Sequence, residues 1–150
     1  MKETLPDHMK FLRTYKEVKV GDRLPHVSAT ERTAGPSLPD CIQGHLLLIV
    51  VSVQCEICYD ALRELYAFLD ERPHANAVIL LDGDEPAWET LSEQFAGRAR
   101  VFQKSKEALL QELGTRGVPW GYGISGDGYV RVSLPCSRPE DFEQLTLVLE

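Results

Sequence analysis

No run of this 150-residue sequence is long and apolar enough to cross a bilayer. The longest, Leu46 to Val53, is interrupted by Ser52 and falls well short of the roughly 20 residues that a membrane helix needs. The opening MKETLPDHMKFLRTYKEVKVGD contains no apolar stretch of secretory-signal type. Basic residues are in the minority: 16 Lys and Arg against 23 Asp and Glu give a formal net charge of -7, which argues against nucleic acid and anionic membranes as main partners. Cysteine is scarce too. Four are too few for a disulfide scaffold, a device of much shorter chains. Internal repeats, low-complexity tracts and long single-sign charge runs are absent. What remains, 43% hydrophobic and 26% charged residues, is the composition of a globular chain long enough for one domain with a substantial core.

The apolar pattern changes period along the chain. Residues 1–17 are polar and weakly periodic and read as an arm or a short helix. VGDRLPHVSATER and TAGPSLPDCIQGH read as short strands and turns, punctuated by Gly21, Pro25, Gly35, Pro36 and Pro39. LLLIVVSV is β-branched and continuous, as in a central strand covered on both faces. Cys58, Leu62, Leu65 and Leu69 then recur at helical spacing, and Pro73 ends that helix near Glu71. NAVILLDG is a second buried strand. Asp84 caps a helix running to Gly97, with Pro86 in its first turn. ARVFQK is a third strand, and Ser105 and Gly114 bound the helix KEALLQEL. WGYGIS and GYVRVSL form an antiparallel hairpin about Gly126-Asp127-Gly128, and Ser137 has capping-box spacing to a last helix, PEDFEQLTLVLE. The order predicts an α/β domain over 18–150, with a central mixed sheet, helices on both faces and an N-terminal strand and turn extension.

Cys55-Glu56-Ile57-Cys58 lies where the central strand gives way to the first helix. There the unpaired N–H groups and the positive end of the helix dipole favour a thiolate at the first cysteine. The second lies one turn further in, on the same side, at a spacing that suits a readily exchanged disulfide. Two other readings compete. A zinc site wants a second CxxC or closely spaced histidines, whereas Cys41, Cys136, His8, His26, His45 and His74 are scattered. Two inert core thiols are the other, since free cysteine is often buried. No metal and no cofactor is expected. Gly117-Val118-Pro119 stands directly before the hairpin. A proline there is either cis, with the Val118 backbone open to a partner, or an ordinary trans turn residue.

Taken together, the Cys55-x-x-Cys58 junction, Gly117-Val118-Pro119 and the hairpin resemble a thioredoxin-like fold. KVGDRLPHVSATE, SLPDCIQGHLLLIVVSVQCEIC and GVPWGYGISGDGYV are similar to the TlpA/ResA/MauD-like branch, which is related to the AhpC/TSA peroxiredoxins. The resemblance covers residue 18 to the end. It implies a thiol-disulfide oxidoreductase with Cys55 attacking, Cys58 resolving, Pro119 cis, and Val118 as the backbone clamp on a cysteine-bearing protein segment. Trp120 and Tyr122 stand beside that groove or simply pack. A second thiol or disulfide redox partner is also implied. The expected location is extracytoplasmic, with tethering through an anchor outside this sequence; cytoplasmic is the alternative.

The sequence also departs from those relatives. Gln54 replaces a common tryptophan, and Ile49 and Ala61 stand where relatives carry a buried acid. Asp60 and Glu64 replace that acid only if the helix turns them inward. Gly121 and Gly123 weaken a strand and leave room for a partner backbone. Glu56 opposes the helix dipole, which points to a reductant rather than a strong oxidant. Two alternatives remain. A non-catalytic binding module fits the missing acid. A peroxidase is suggested by Ser52, three before Cys55, but Leu48 replaces the proline of that pattern. Cys41 and Cys136 are either paired or separately shielded, with shielding expected.

Overall fold

A computed structural model describes residues 17–31 and 35–149. Apart from Glu17, the expected arm lies outside the described residues. The elements are β1 (His45–Ser52), α1 (Glu56–Asp70), β2 (Ala77–Asp82), α2 (Glu85–Gln94), β3 (Ala99–Gln103), α3 (Lys106–Leu113), β4 (Trp120–Ser125), β5 (Val130–Pro135) and α4 (Pro139–Gln144). Short 3-10 turns lie at Pro39–Cys41 and Leu145–Leu149. The five strands form one sheet in the order β3-β2-β1-β4-β5. β1 pairs parallel with β2 and antiparallel with β4, so the strand carrying the cysteine junction is central.

Because β1 is covered on both faces, its alternating side chains feed two cores. Leu47, Ile49 and Val51 pack with Cys58, Ala61, Leu65 and Phe68 of α1 and with Phe142 of α4. Leu46, Leu48 and Val50 pack on the other side with Leu38, Cys41, Leu109 and Leu113. The helix boundaries follow local chemistry. Asp84 accepts from the Ala87 N–H and Ser105 from the Ala108 N–H, while Gly114 closes α3 at φ 70, in the left-handed region.

Four expectations change. The N-terminal stretch makes isolated bridges, Arg23 to Tyr129 and Ser28 to Ser37, rather than extended strands, because its prolines withhold ladder donors. α2 ends at Gln94, before Gly97, as Phe95 turns into the core. The last helix is capped at Arg138, not Ser137. The Asp141 carboxylate reaches back to the N–H groups of both residues at 3.1 Å, and the helix tightens into a 3-10 turn after Gln144. Gly121 and Gly123 are buried, and the space a Cβ would fill is taken by the Cys136 sulfur and by Val132 and Val148. Those glycines make room for the protein's own core, not for a partner.

Candidate active site

The cysteine pair sits where β1 ends. Cys55 is the N-cap residue of α1, in extended conformation, and its sulfur accepts from the Cys58 N–H at 3.1 Å. A cap residue must present an acceptor to an orphan N–H of the first turn, and here a thiol takes that place. The Cys55 side chain is partly exposed. Cys58, one turn on, is 1% exposed and joins the core under α1. Burial, the first cause, pushes the Cys58 thiol up to about 12; its hydrogen bond and charge interaction with Cys55 add to this, and a backbone hydrogen bond at Ser52 opposes it.

Opposite the pair, the Val118–Pro119 peptide bond is cis. The Cys55 thiol lies 3.8 Å from the Val118 carbonyl oxygen, in donor geometry. Val118 is exposed while Pro119 is buried. The structure thus brings together four of the five residues singled out from sequence: Cys55, Cys58, Val118 and Pro119. It holds Trp120 behind them. The Trp120 indole N–H donates to Ser133 Oγ at 2.9 Å, and the ring packs on the second core. Tyr122 is buried, with its hydroxyl 2.8 Å from that of Thr115, so it packs rather than lining a groove. Exposed apolar side chains Val53, Ile57 and Tyr59 surround the cysteines.

Asp60 faces solvent, paired with Arg63, and supplies no buried acid. A carboxylate not picked out from sequence does reach the site. Asp82 at the end of β2 accepts from Ser52 Oγ at 3.2 Å and lines, with Cys55, a cleft of about 190 Å³. The signal was present: parallel neighbouring strands bring their carboxyl ends to one edge, and LLDG ends the strand beside β1. Among the described residues no three His, Cys, Asp or Glu side chains gather into a group able to hold a metal ion. All four cysteines are free thiols. Cys41 and Cys136 are fully buried in separate cores on opposite faces of the sheet, so they are shielded rather than paired. Cys136 shares the core of Cys58, and burial pushes its thiol up to about 12 as well.

The strand order, the crossovers and the cysteine junction decide the architecture. The fold is thioredoxin-like. No protein-family model matches this chain, and no curated protein matches it. Solved structures do. A candidate thiol:disulfide interchange protein DsbE from Chlorobium tepidum is 18% identical, with a TM-score of 0.68 over 87% of this chain and 97% of its own. The exposed lipoprotein thioredoxin Etrx1 of Streptococcus pneumoniae is 15% identical, with a TM-score of 0.58 over 84% and 99%. A peroxiredoxin-like protein from Aquifex aeolicus is 17% identical, with a TM-score of 0.61 over 91% and 89%. Identities this low establish the thioredoxin-like fold and leave the chemistry to the site.

Proposed function

We propose that this protein is a thiol-disulfide oxidoreductase that reduces a cysteine-bearing protein partner through Cys55 and Cys58. The observation that carries the reading is the asymmetry of the pair. Cys55 is accessible and receives the Cys58 N–H, and Cys58 is buried behind it. The Cys55 thiolate attacks a partner disulfide, forming a mixed disulfide and releasing one partner thiolate. Cys58 then loses its proton and attacks the Cys55 sulfur. That forms the Cys55–Cys58 disulfide and releases the second partner thiol, with two electrons and two protons transferred to the partner in all.

The causes of the high Cys58 pKa order these steps. Two of the three effects that raise it come from Cys55. Burial, the largest cause, persists in the mixed disulfide, but a Cys55 sulfur bonded to a partner no longer adds its charge, so Cys58 gives up its proton more readily there than in the free dithiol. Val118 presents its backbone to the partner's extended segment beside the sulfur, Pro119 shapes that edge and Trp120 supports it from behind. A second thiol or disulfide partner resets the pair. The fold similarity to an exposed lipoprotein supports an extracytoplasmic, tethered setting over a cytoplasmic one.

Two measurements test this. Insulin reduction is expected in the wild type and in the Cys41→Ser, Cys136→Ser double variant, and to be abolished by Cys55→Ser. Loss of activity in a folded double variant would show that a second thiol pair takes part. Equilibration with glutathione is expected to give a reduction potential below about -230 mV, on the thioredoxin side of the scale. A value near that of a strong oxidant, about -120 mV, would reverse the assigned direction.

A further inference from the structure

The chain carries net negative charge, yet the cleft beside Cys55 reverses that sign. Buried Val50 and Leu109 give it an apolar base, and exposed Lys106 and Arg116 stand at its edge. Most other arginines are committed to carboxylates: Arg63 to Asp60, Arg72 to Glu143, Arg98 to Asp70, Arg131 to Asp127 and Arg138 to Asp141. Neither Lys106 nor Arg116 makes an ion pair or hydrogen bond with any described residue. The one acid lining the cleft, Asp82, accepts from the Ser52 hydroxyl and keeps its charge, so the lining sets two positive charges against one negative. Two uncommitted cations therefore line the cleft that Cys55 also lines.

We infer that this cleft receives an acidic side chain of the substrate, so that the preferred partner carries Asp or Glu close to its reacting cysteine. This rests on the oxidoreductase reading and names the substrate class for it. Size favours a side chain over a whole small-molecule thiol: about 190 Å³ is below the roughly 300–1,000 Å³ of small-ligand sites. Position sets the register. Cys55 and Val118 both line the cleft, so a segment lying along Val118 with its cysteine at Cys55 presents residues two positions away on the same face. A carboxylate there meets Arg116 and Lys106, and the same charges steer acidic segments during encounter.

The test uses paired peptides, identical except for Glu or Gln two positions before or after a cysteine held as a mixed disulfide with 2-mercaptoethanol. The reduced wild-type protein is expected to exchange with the Glu peptide roughly three- to tenfold faster than with its Gln twin, the gain two exposed charge pairs supply. The preference shrinks in high salt. Lys106→Gln with Arg116→Gln removes it, and the charge-keeping pair Lys106→Arg with Arg116→Lys retains it. Equal rates for Glu and Gln peptides in the wild type, or a preference that survives the double Gln variant, overturn the inference. If no peptide exchanges at all, the redox reading fails. Affinities of the same peptides, with serine for cysteine, to Cys55→Ser protein then decide the inference separately, by the same Glu-over-Gln criterion.

Discussion

Cys55 and Cys58 are three residues apart and chemically unlike. One caps a helix at the surface; the other is sealed under it, with its thiol raised to about 12. Iodoacetamide near neutral pH is therefore expected to label Cys55 promptly in the reduced protein. Cys58 stays unlabelled until the protein unfolds or the pH approaches its own high value. Mass mapping of the labelled cysteine checks this, and early labelling at Cys58 would undo the division of roles. This contrast was half legible in the sequence. The CxxC spacing placed the second sulfur one turn inward, but nothing in CEIC showed that the Cys58 N–H would turn to the Cys55 sulfur. The same holds for Lys106 and Arg116. They lie about 50 and 60 positions from Cys55, and only the sheet brings them to it.

At the level of elements, signals that act within a few residues were readable. Asp84, Ser105 and Gly114 bound their helices because a cap needs only its own side chain and the next turn. Signals that depend on the other side of the fold were not. Arg138 displaces Ser137 as the cap because Asp141 engages both N–H groups, and Gly121 faces a sulfur from beyond the next strand. A Cβ at Gly121 would stand 2.9 Å from Cys136 Sγ and 3.4 Å from Leu145 Cδ1. Gly121→Ala is expected to lower stability by about 1–3 kcal/mol, as overpacking does. Adding Cys136→Ala should recover part of that loss, since it removes the closest atom. Urea unfolding of the wild type, both single variants and the double variant reads the coupling, and losses that simply add would show that the crowding lies elsewhere.

Across the whole molecule, the sheet divides two cores, and the end remote from the cysteines is tied by one polar cluster. His45 Nε2 accepts from the Asn76 N–H at 2.9 Å, and the Asn76 side chain donates to the carbonyls of Cys41 and His45. Burial holds the His45 pKa below its ordinary value of 6.5, so the folded state keeps it neutral while the unfolded chain takes up a proton. Its contribution is complete above about pH 6.5 and is lost as pH falls below that, because the unfolded state then binds more protons. Stability measured by urea titration should decline from pH 7 to pH 5, and less steeply in His45→Gln. Equal slopes would mean that other groups set the acid sensitivity. The cluster was not legible beforehand, since His45 and Asn76 meet only through the pairing of β1 with β2.

The claim on which the functional account turns is that Cys55 takes the partner and Cys58 releases it. The most direct measurement is a mass-spectrometric count of adducts. Cys58→Ala and Cys55→Ala, each reduced, are incubated at neutral pH with a cysteine peptide in mixed-disulfide form. The account predicts that Cys58→Ala accumulates a stable peptide disulfide mapped to Cys55, while Cys55→Ala, left with three buried thiols, accumulates none. An adduct on Cys58, or no adduct on either folded variant, would contradict it.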